Sequence, residues 1–266
     1  MKKILLAMTA VAAISGSASA ADLGAARPYV KAPAPLPAPV MNWTGFYVFG
    51  GGGGGLWAAD QHVQNTFTGA PLTIDQRQGG SGWFGTVGAG YDWQFSSAWV
   101  AGLFADGQFG SIKGSLVDPT VNALGITGST KLEDSWSVGA RLGYLVAPNV
   151  LSYVNGGYTG SRWTSANFLD VQTGLSTGVH TNAVNRDGWF VGGGVENNLD
   201  IFGITAPGLF MKTEYRSSFY NRKTLDEFDA ASIPVGNSIR SDGWTQTVST
   251  SLVYRFNWTG PVGSKY

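Results

Sequence analysis

Only two histidines, His62 and His180, occur among the 266 residues, and there is no cysteine. Without cysteine there is no disulfide framework, no thiolate zinc site and no thiol nucleophile. Both histidines fall in stretches predicted as long polar loops. Neither has partners at metal-ligand spacing, and no serine–histidine–carboxylate order places three such groups on strands that would meet. Each reads as a solvated loop residue. The run Gly50 to Gly55 resembles a phosphate loop superficially. No Gly-Lys-Ser/Thr follows it and no strand-to-helix switch is readable. It reads instead as a strand of little bulk, which leaves room for large neighbours or a close backbone approach. No catalytic, cofactor-binding or metal-binding residue is predicted, and the chain is expected not to be an enzyme.

The charged residues form a different constellation. Asp92, Asp106, Glu196 and Glu214 share predicted strand faces with Arg141, Lys212, Arg216 and Arg255. Four acids against four bases suggests mutual neutralisation. If these faces line a narrow interior the charges must pair, since breaking a buried pair costs ~3–5 kcal/mol. Arg141 and Glu196, both mid-strand, are the first pair expected. Such a network either holds a wall together or lines a narrow ion path.

The elements that position these residues follow from composition and period. There are 39 glycines, 13% charged residues, 13% aromatics and no net charge. Disordered chains lack aromatics and carry net charge. Nucleic-acid binding needs a basic face, and collagen needs glycine at every third residue. Residues 1–20 read as an export signal, with Lys2 and Lys3, an apolar run from Ile4 to Ile14, and Ala18-Ser19-Ala20 as the cleavage pattern. That run is too short for a spanning helix, which needs ~20 residues. Cleavage leaves 15 basic against 17 acidic residues. Residues 21–41, with Pro28, Pro33, Pro35, Pro37 and Pro39, read as an extended periplasmic linker.

From Asn42 the pattern becomes strands with a period of two. In Gly82 to Phe95, Trp83, Val87, Ala89, Tyr91 and Trp93 take one face, and Thr86, Gly88, Gly90 and Asp92 the other; Phe84 is the exception. The same alternation starts at Trp99, Trp136, Trp189, Leu209 and Trp244, and less decisively over Gly45–Trp57 and Val150–Trp163. That makes eight strands. Short joins fall near Ser96-Ser97, Pro148-Asn149 and Phe202 to Pro207. Long ones fall at Ala58–Gly80, Ser111–Lys131, Thr164–Arg186 and Tyr220–Ser241. Val63–Ile74 and Asn167–Val184 lack outward aromatics at a ten-residue interval and count as loops. Short turns at one end and long loops at the other suit a bacterial outer-membrane barrel.

The aromatics decide which face is outside. Trp83 and Trp93 share a face ten residues apart, as do Trp99 and Phe109, and Trp244 and Tyr254. Ten residues at ~3.3 Å, tilted by ~40°, rise about 25 Å, the height of the apolar band between aromatic girdles. Trp136, Tyr144 and Trp189 complete the predicted girdle. The opposite face is mostly glycine, serine and a few charges, too small and polar for a soluble core. The predicted fold is all-β: an eight-stranded antiparallel up-and-down transmembrane β-barrel over 42–256, followed by an extension at 257–266.

Asn42-Trp43-Thr44-Gly45-Phe46-Tyr47-Val48 resembles the opening strand of the small outer-membrane β-barrel proteins of alpha-proteobacteria, the porin-like surface proteins of rhizobia and brucellae. Later stretches agree: Arg141-Leu142-Gly143-Tyr144, Gly192 to Glu196, Lys212 to Arg216 and Val253-Tyr254-Arg255-Phe256. The resemblance implies an eight-stranded barrel with its first and last strands paired, abundance at the cell surface, and no catalytic residues. Many members end at a closing phenylalanine read by the barrel-insertion machinery. Here the chain continues past Phe256 to Tyr266, so either aromatic is a candidate insertion signal.

The function expected is a structural, porin-like role in the Gram-negative cell envelope, with outer-membrane lipids and the insertion machinery as partners and no cofactor. One alternative is a surface binding or adhesion module, its Thr-, Asn-, Ser- and Gly-rich loops meeting an extracellular ligand. A remoter one is a lipid-modifying enzyme at the rim, for which the two histidines are the obvious candidates.

Overall fold

The computed structural model describes residues 42–121, 124–204 and 206–256. The expected export signal, the linker, the extension at 257–266 and Tyr266 lie outside the described residues.

Ten strands are described among these residues: β1 (Gly45–Asn65), β2 (Gln76–Gln94), β3 (Trp99–Asp118), β4 (Ile126–Ala147), β5 (Val150–Trp163), β6 (Ala166–Asp170), β7 (Ser176–Thr181), β8 (Val184–Asn198), β9 (Leu209–Phe228) and β10 (Pro234–Arg255). All pair antiparallel. Eight of them close a ring in the order β1, β2, β3, β4, β5, β8, β9, β10 and back to β1. The closing seam is long: Tyr47 stands opposite Arg255, and the register holds to Asn65 opposite Asn237. Closure leaves no unpaired edge among these eight.

The strand count differs from the eight expected. β6 and β7 form a hairpin inside Asn167–Val184, which the sequence marks as loop. β6 pairs with β4 (Gly128 opposite Phe168) and β7 with β9 (Thr181 opposite Glu227). These strands are five and six residues long, too short to show a ten-residue aromatic interval. The long joins also contract. β1 runs through Val63 to Asn65, β4 begins at Ile126, and β9 and β10 extend to Phe228 and from Pro234.

The reason is an inversion of pattern along each strand. Near the short turns, large apolar residues face outward and polar ones inward. Beyond Trp83, Phe109 and Trp136 the faces exchange character. Asp60, Arg77, Lys131 and Arg162 now point outward, while Trp57, Val63, Ile112, Leu116, Ile126, Leu132, Trp163, Leu225 and Ile239 pack inside as one apolar cluster. A rule that looks for apolar residues outside stops where this begins. β3 has 20 residues; at ~3.3 Å each and ~40° tilt it rises roughly 50 Å, twice the apolar band.

A second apolar cluster fills the short-turn half: Trp43, Tyr47, Phe49, Val100, Phe104, Leu151, Phe190, Phe210 and Val253. Glycines make the room. A Cβ at Gly88 would strike the Phe49 ring, one at Gly90 the Tyr47 ring, and one at Gly139 the rings of Phe190 and Phe104. In the glycine run, a Cβ at Gly53 would strike the β10 backbone at Val248 and Ser249, whereas one at Gly50 makes only ordinary contact. Gly53→Val should therefore fail to regain the compact, fast-migrating band on unboiled gels after refolding, while Gly50→Val should regain it.

Candidate functional site

The eight charges singled out in the sequence all point into the lumen and are all buried. They sort into two quartets, each with two acids and two bases. The first takes Asp92 from β2, Arg141 from β4, Glu196 from β8 and Arg255 from β10. These are alternate strands of the ring, so the four side chains meet across it. Arg141 Nε donates to Asp92 Oδ1 (2.9 Å) and its Nη1 to Glu196 Oε2 (3.0 Å); a further bond joins Nη2 to Asp92 Oδ2. Arg255 Nε donates to Glu196 Oε1 (2.8 Å), and its Nη2 to Asp92 Oδ2 (2.8 Å). Arg255 Nη1 also donates to the Trp43 carbonyl, which ties the segment before β1 under the quartet.

The second quartet lies further up. Arg216 on β9 donates from Nη1 and Nη2 to the two oxygens of Asp106 on β3 (3.0 and 2.7 Å), and from Nη2 to Glu214 (2.7 Å). Glu214 also accepts from the Tyr153 hydroxyl and from Asn155 Nδ2. Lys212 Nζ stands 3.7 Å from Glu214 and sits over the Phe49 ring at 3.4 Å.

The basic groups are stacked as well as paired. The Arg141 guanidinium lies between Tyr47 (4.4 Å) and Tyr153 (5.1 Å), Arg255 over Trp43 (4.5 Å), and Arg216 over Phe190 (4.5 Å). Each cation gains the ring quadrupole on its faces and carboxylates at its edge. This answers what a buried ion pair needs if its attraction is to offset the loss of water. The lumen at this level is occupied by side chains: Asp92 and Glu196 are fully buried.

Sequence reasoning missed the aromatic half of this arrangement. Phe104, Phe190 and Phe210 stand on the same strand faces as Asp106, Gly192 and Lys212, an inward position each. The signal was available, since Phe84, the one exception noted in β2, is also buried. Tyr153 and Asn155, which bond to the second quartet, lie in the weakly patterned Val150–Trp163 run, while Ser137, which also bonds to it, stands on the predicted inward face of the strand from Trp136.

On the outer wall the girdle residues form two belts. Trp93, Trp99, Tyr144 and Tyr254 ring the short-turn end; Trp83, Phe109, Trp136, Trp189 and Trp244 ring the other. In the second belt Tyr158, Trp189, Phe219 and Trp244 stand opposite one another in register across four strands. Trp189 stacks on Phe219 at 4.5 Å, and Trp99 meets Tyr144 edge-on at 5.2 Å. Between the belts Leu103, Val138, Leu142, Val154, Val191 and Leu252 are all exposed. A continuous apolar surface of this size is a membrane face. Phe256 is exposed in the first belt, and its amide donates to the Phe46 carbonyl (3.0 Å).

No family model matches the chain. Proteins from Brucella melitensis and Brucella suis, each named a 31 kDa outer-membrane immunogenic protein, are 28% identical over 265 residues, covering 96% of this chain and all of theirs. The similarity spans nearly the whole of both chains and supports an alpha-proteobacterial outer-membrane β-barrel family. A 25 kDa outer-membrane immunogenic protein of Brucella abortus is 26% identical over 257 residues, with 96% and 99% coverage. Among solved structures, neisserial surface protein A overlaps 80% of this chain and 98% of its own (TM-score 0.35, 15% identity). Ail of Yersinia pestis overlaps 77% and 99% (TM-score 0.28, 14% identity). The protein is an outer-membrane β-barrel surface protein. The first charged quartet lies toward the short turns, and the upper apolar cluster toward the long connections.

Removing one member of the first quartet leaves buried charge without a partner. Arg141→Ala should cost about 3–5 kcal/mol in urea unfolding of the refolded barrel. Arg141→Lys, which keeps the charge and loses the fork, should cost less.

Proposed function

We propose that the chain is an eight-stranded up-and-down transmembrane barrel with a structural role in the outer membrane and a lumen closed to diffusing solutes. The closed and fully engaged charge network carries this reading. Every one of the eight lumen charges has an opposite partner, and aromatic rings occupy the space between them. An interior of eight strands is just wide enough for side chains to fill. β6 and β7 then complete the collar above the outer belt, paired to β4 and β9 over a few residues, and do not enter the eight-stranded wall between the belts. The outer belts take lipid as their partner, and Phe256, exposed at the periplasmic belt, is the aromatic offered to the insertion machinery.

His62 Nδ1 pairs with exposed Asp75 at 2.8 Å, and the His180 ring lies against Phe228 at 6.0 Å. The refolded protein should run as a compact band unboiled and give no stepwise current in planar bilayers. Steps that change when Arg141 or Glu196 is neutralised would overturn the closed-lumen reading.

A second reading has its own observation. The strands rise well beyond the upper belt, and the apolar cluster inside makes that collar a packed body. The β6–β7 hairpin is pinned across it to β4 and β9. Such a collar suits presentation of loops to an extracellular ligand, and relatives named immunogenic outer-membrane proteins agree with surface display. Replacing residues 167–180 by a short glycine–serine link should leave the unboiled compact band intact and abolish binding to whole cells or matrix. Unchanged binding would count against a role for this hairpin.

A further inference from the structure

The outer half of the lumen buries two acidic side chains that no base neutralises. Asp118, at the end of β3, and Glu227, near the end of β9, are both fully buried. Asn237, on β10 beside Asp226 to Phe228 of β9, bonds to Asp118, so the two carboxyl groups share one layer of the lumen, and burial beside Asp118 pushes the Glu227 carboxyl above the usual carboxylate range. The basic groups of that half are engaged elsewhere or exposed: His62 with Asp75, Arg77 with Asp60, Lys131 and Arg162 with Glu133, Arg222 with Asp242, Lys223 with Asp187, and Arg186 with the Ser241 carbonyl, while Lys113 and Arg240 are exposed. Inward positions around the pair are Gln61 on β1, Ile126 on β4, Phe168 on β6, Thr181 on β7 and Ile239 on β10, all uncharged.

Asp118 is held in place by its neighbours. Its Oδ1 accepts from the Thr120 amide and hydroxyl, each at 2.6 Å, and its Oδ2 accepts from Asn237 Nδ2 at 3.2 Å. Glu227 is not held: neither of its oxygens meets a donor. Gln61 supplies an independent observation. Its Nε2 is directed at the carbonyl of Val117, one residue before Asp118, at 3.5 Å. Its Oε1 is buried in the same layer and also lacks a donor.

Two adjacent carboxylates cannot stay ionised in an apolar cluster without a counter-charge. The oxygens without a donor are the two of Glu227 and Oε1 of Gln61; with Asp118, whose oxygens also accept from Thr120 and Asn237, they present only oxygen ligands, on three different strands. That set suits a hard divalent cation, and its irregular geometry suits calcium better than magnesium, which demands a near-octahedral shell. We propose that Asp118, Glu227 and Gln61 form a binding site for a calcium-sized divalent cation that ties β1, β3 and β9 together inside the collar.

Terbium is a luminescent probe of calcium size, excited through nearby indoles, and Trp57 and Trp163 belong to the adjoining apolar cluster. The refolded full chain in detergent should give a saturable terbium signal that calcium displaces. Chelator should lower its thermal midpoint. Glu227→Gln should lose both effects while keeping the compact unboiled band, and Glu133→Gln, an exposed acid, should lose neither. If Glu227→Gln does not refold, Gln61→Leu, which keeps both carboxylates, should weaken calcium displacement at least tenfold. The site is overturned if the wild-type protein gives no saturable signal, or if Glu227→Gln and Gln61→Leu leave it unchanged. It is equally overturned if Glu227→Gln raises the midpoint to the same extent with and without chelator, since the pair then holds a shared proton.

Discussion

A ring of eight strands encloses a space only as wide as the side chains that line it, and that limit shapes every inward position. Each large ring in the lumen needs an absence beside it. Gly88 faces Phe49, Gly90 faces Tyr47, and Gly139 faces Phe190 and Phe104. Each charge needs a partner within reach, because little water can enter to solvate it. The glycine excess and the four-against-four charge balance are thus one constraint seen twice, in volume and in electrostatics. Ordinary cores meet the volume limit with branched aliphatics. Here the lumen alternates rings and ion pairs, and glycine takes the remainder.

The strands do not keep one relation to their surroundings. Between the belts they are apolar outside and carry charges interleaved with aromatic rings inside. Above the outer belt they are apolar inside and polar outside, as in a soluble barrel. Along the closing seam the hydrogen-bonded ladder runs through this change without a break, β1 and β10 staying in register from Tyr47 to Asn65, whereas β3–β4, β4–β5 and β9–β10 shift register there. The backbone is satisfied identically in lipid and in water, so only the side chains need respond to the medium. Trp57 shows the switch on a single strand. It lies three residues beyond Gly54, still in the ladder, yet its indole turns inward to meet Trp163 at 5.1 Å.

This inversion explains what could be read from the sequence. The membrane half was legible because alternation, belt spacing and inward charges all point to the same faces; Asp92 and Trp93 are adjacent and declare opposite environments. The aromatic lumen was less so. Phe104 lies between Leu103 and Ala105, and in a run of three apolar residues periodicity cannot say that the middle one faces in. The upper collar was read as loop for a different reason. Its period of two survives, but with the opposite sign, and a test for outward tryptophans is blind to inward ones. β6 and β7 were hidden by length alone. The pairing of Arg141 with Glu196 was legible in kind, but not its extension to Asp92 and Arg255, which depends on four strands from distant parts of the chain.

That extension has a consequence for register. The first quartet takes one residue from every second strand of the ring, so it closes only when four strands are aligned together. A slip of one residue in any strand reverses its faces. For β4 it would carry Arg141 out of the lumen and into lipid, where a basic side chain costs ~2–4 kcal/mol at mid-depth, and it would leave Asp92 and Glu196 buried with one cation between them. Glycine-rich strands specify register weakly by packing, and β1 with its six consecutive glycines is the extreme case. Apolar contacts on the lipid side discriminate little, because lipid accepts any hydrocarbon. The charged quartets supply the discrimination that smooth, glycine-lined strands lack. Arginine suits that task better than lysine. A planar fork can hold Asp92 and Glu196 at once while both of its faces rest on Tyr47 and Tyr153.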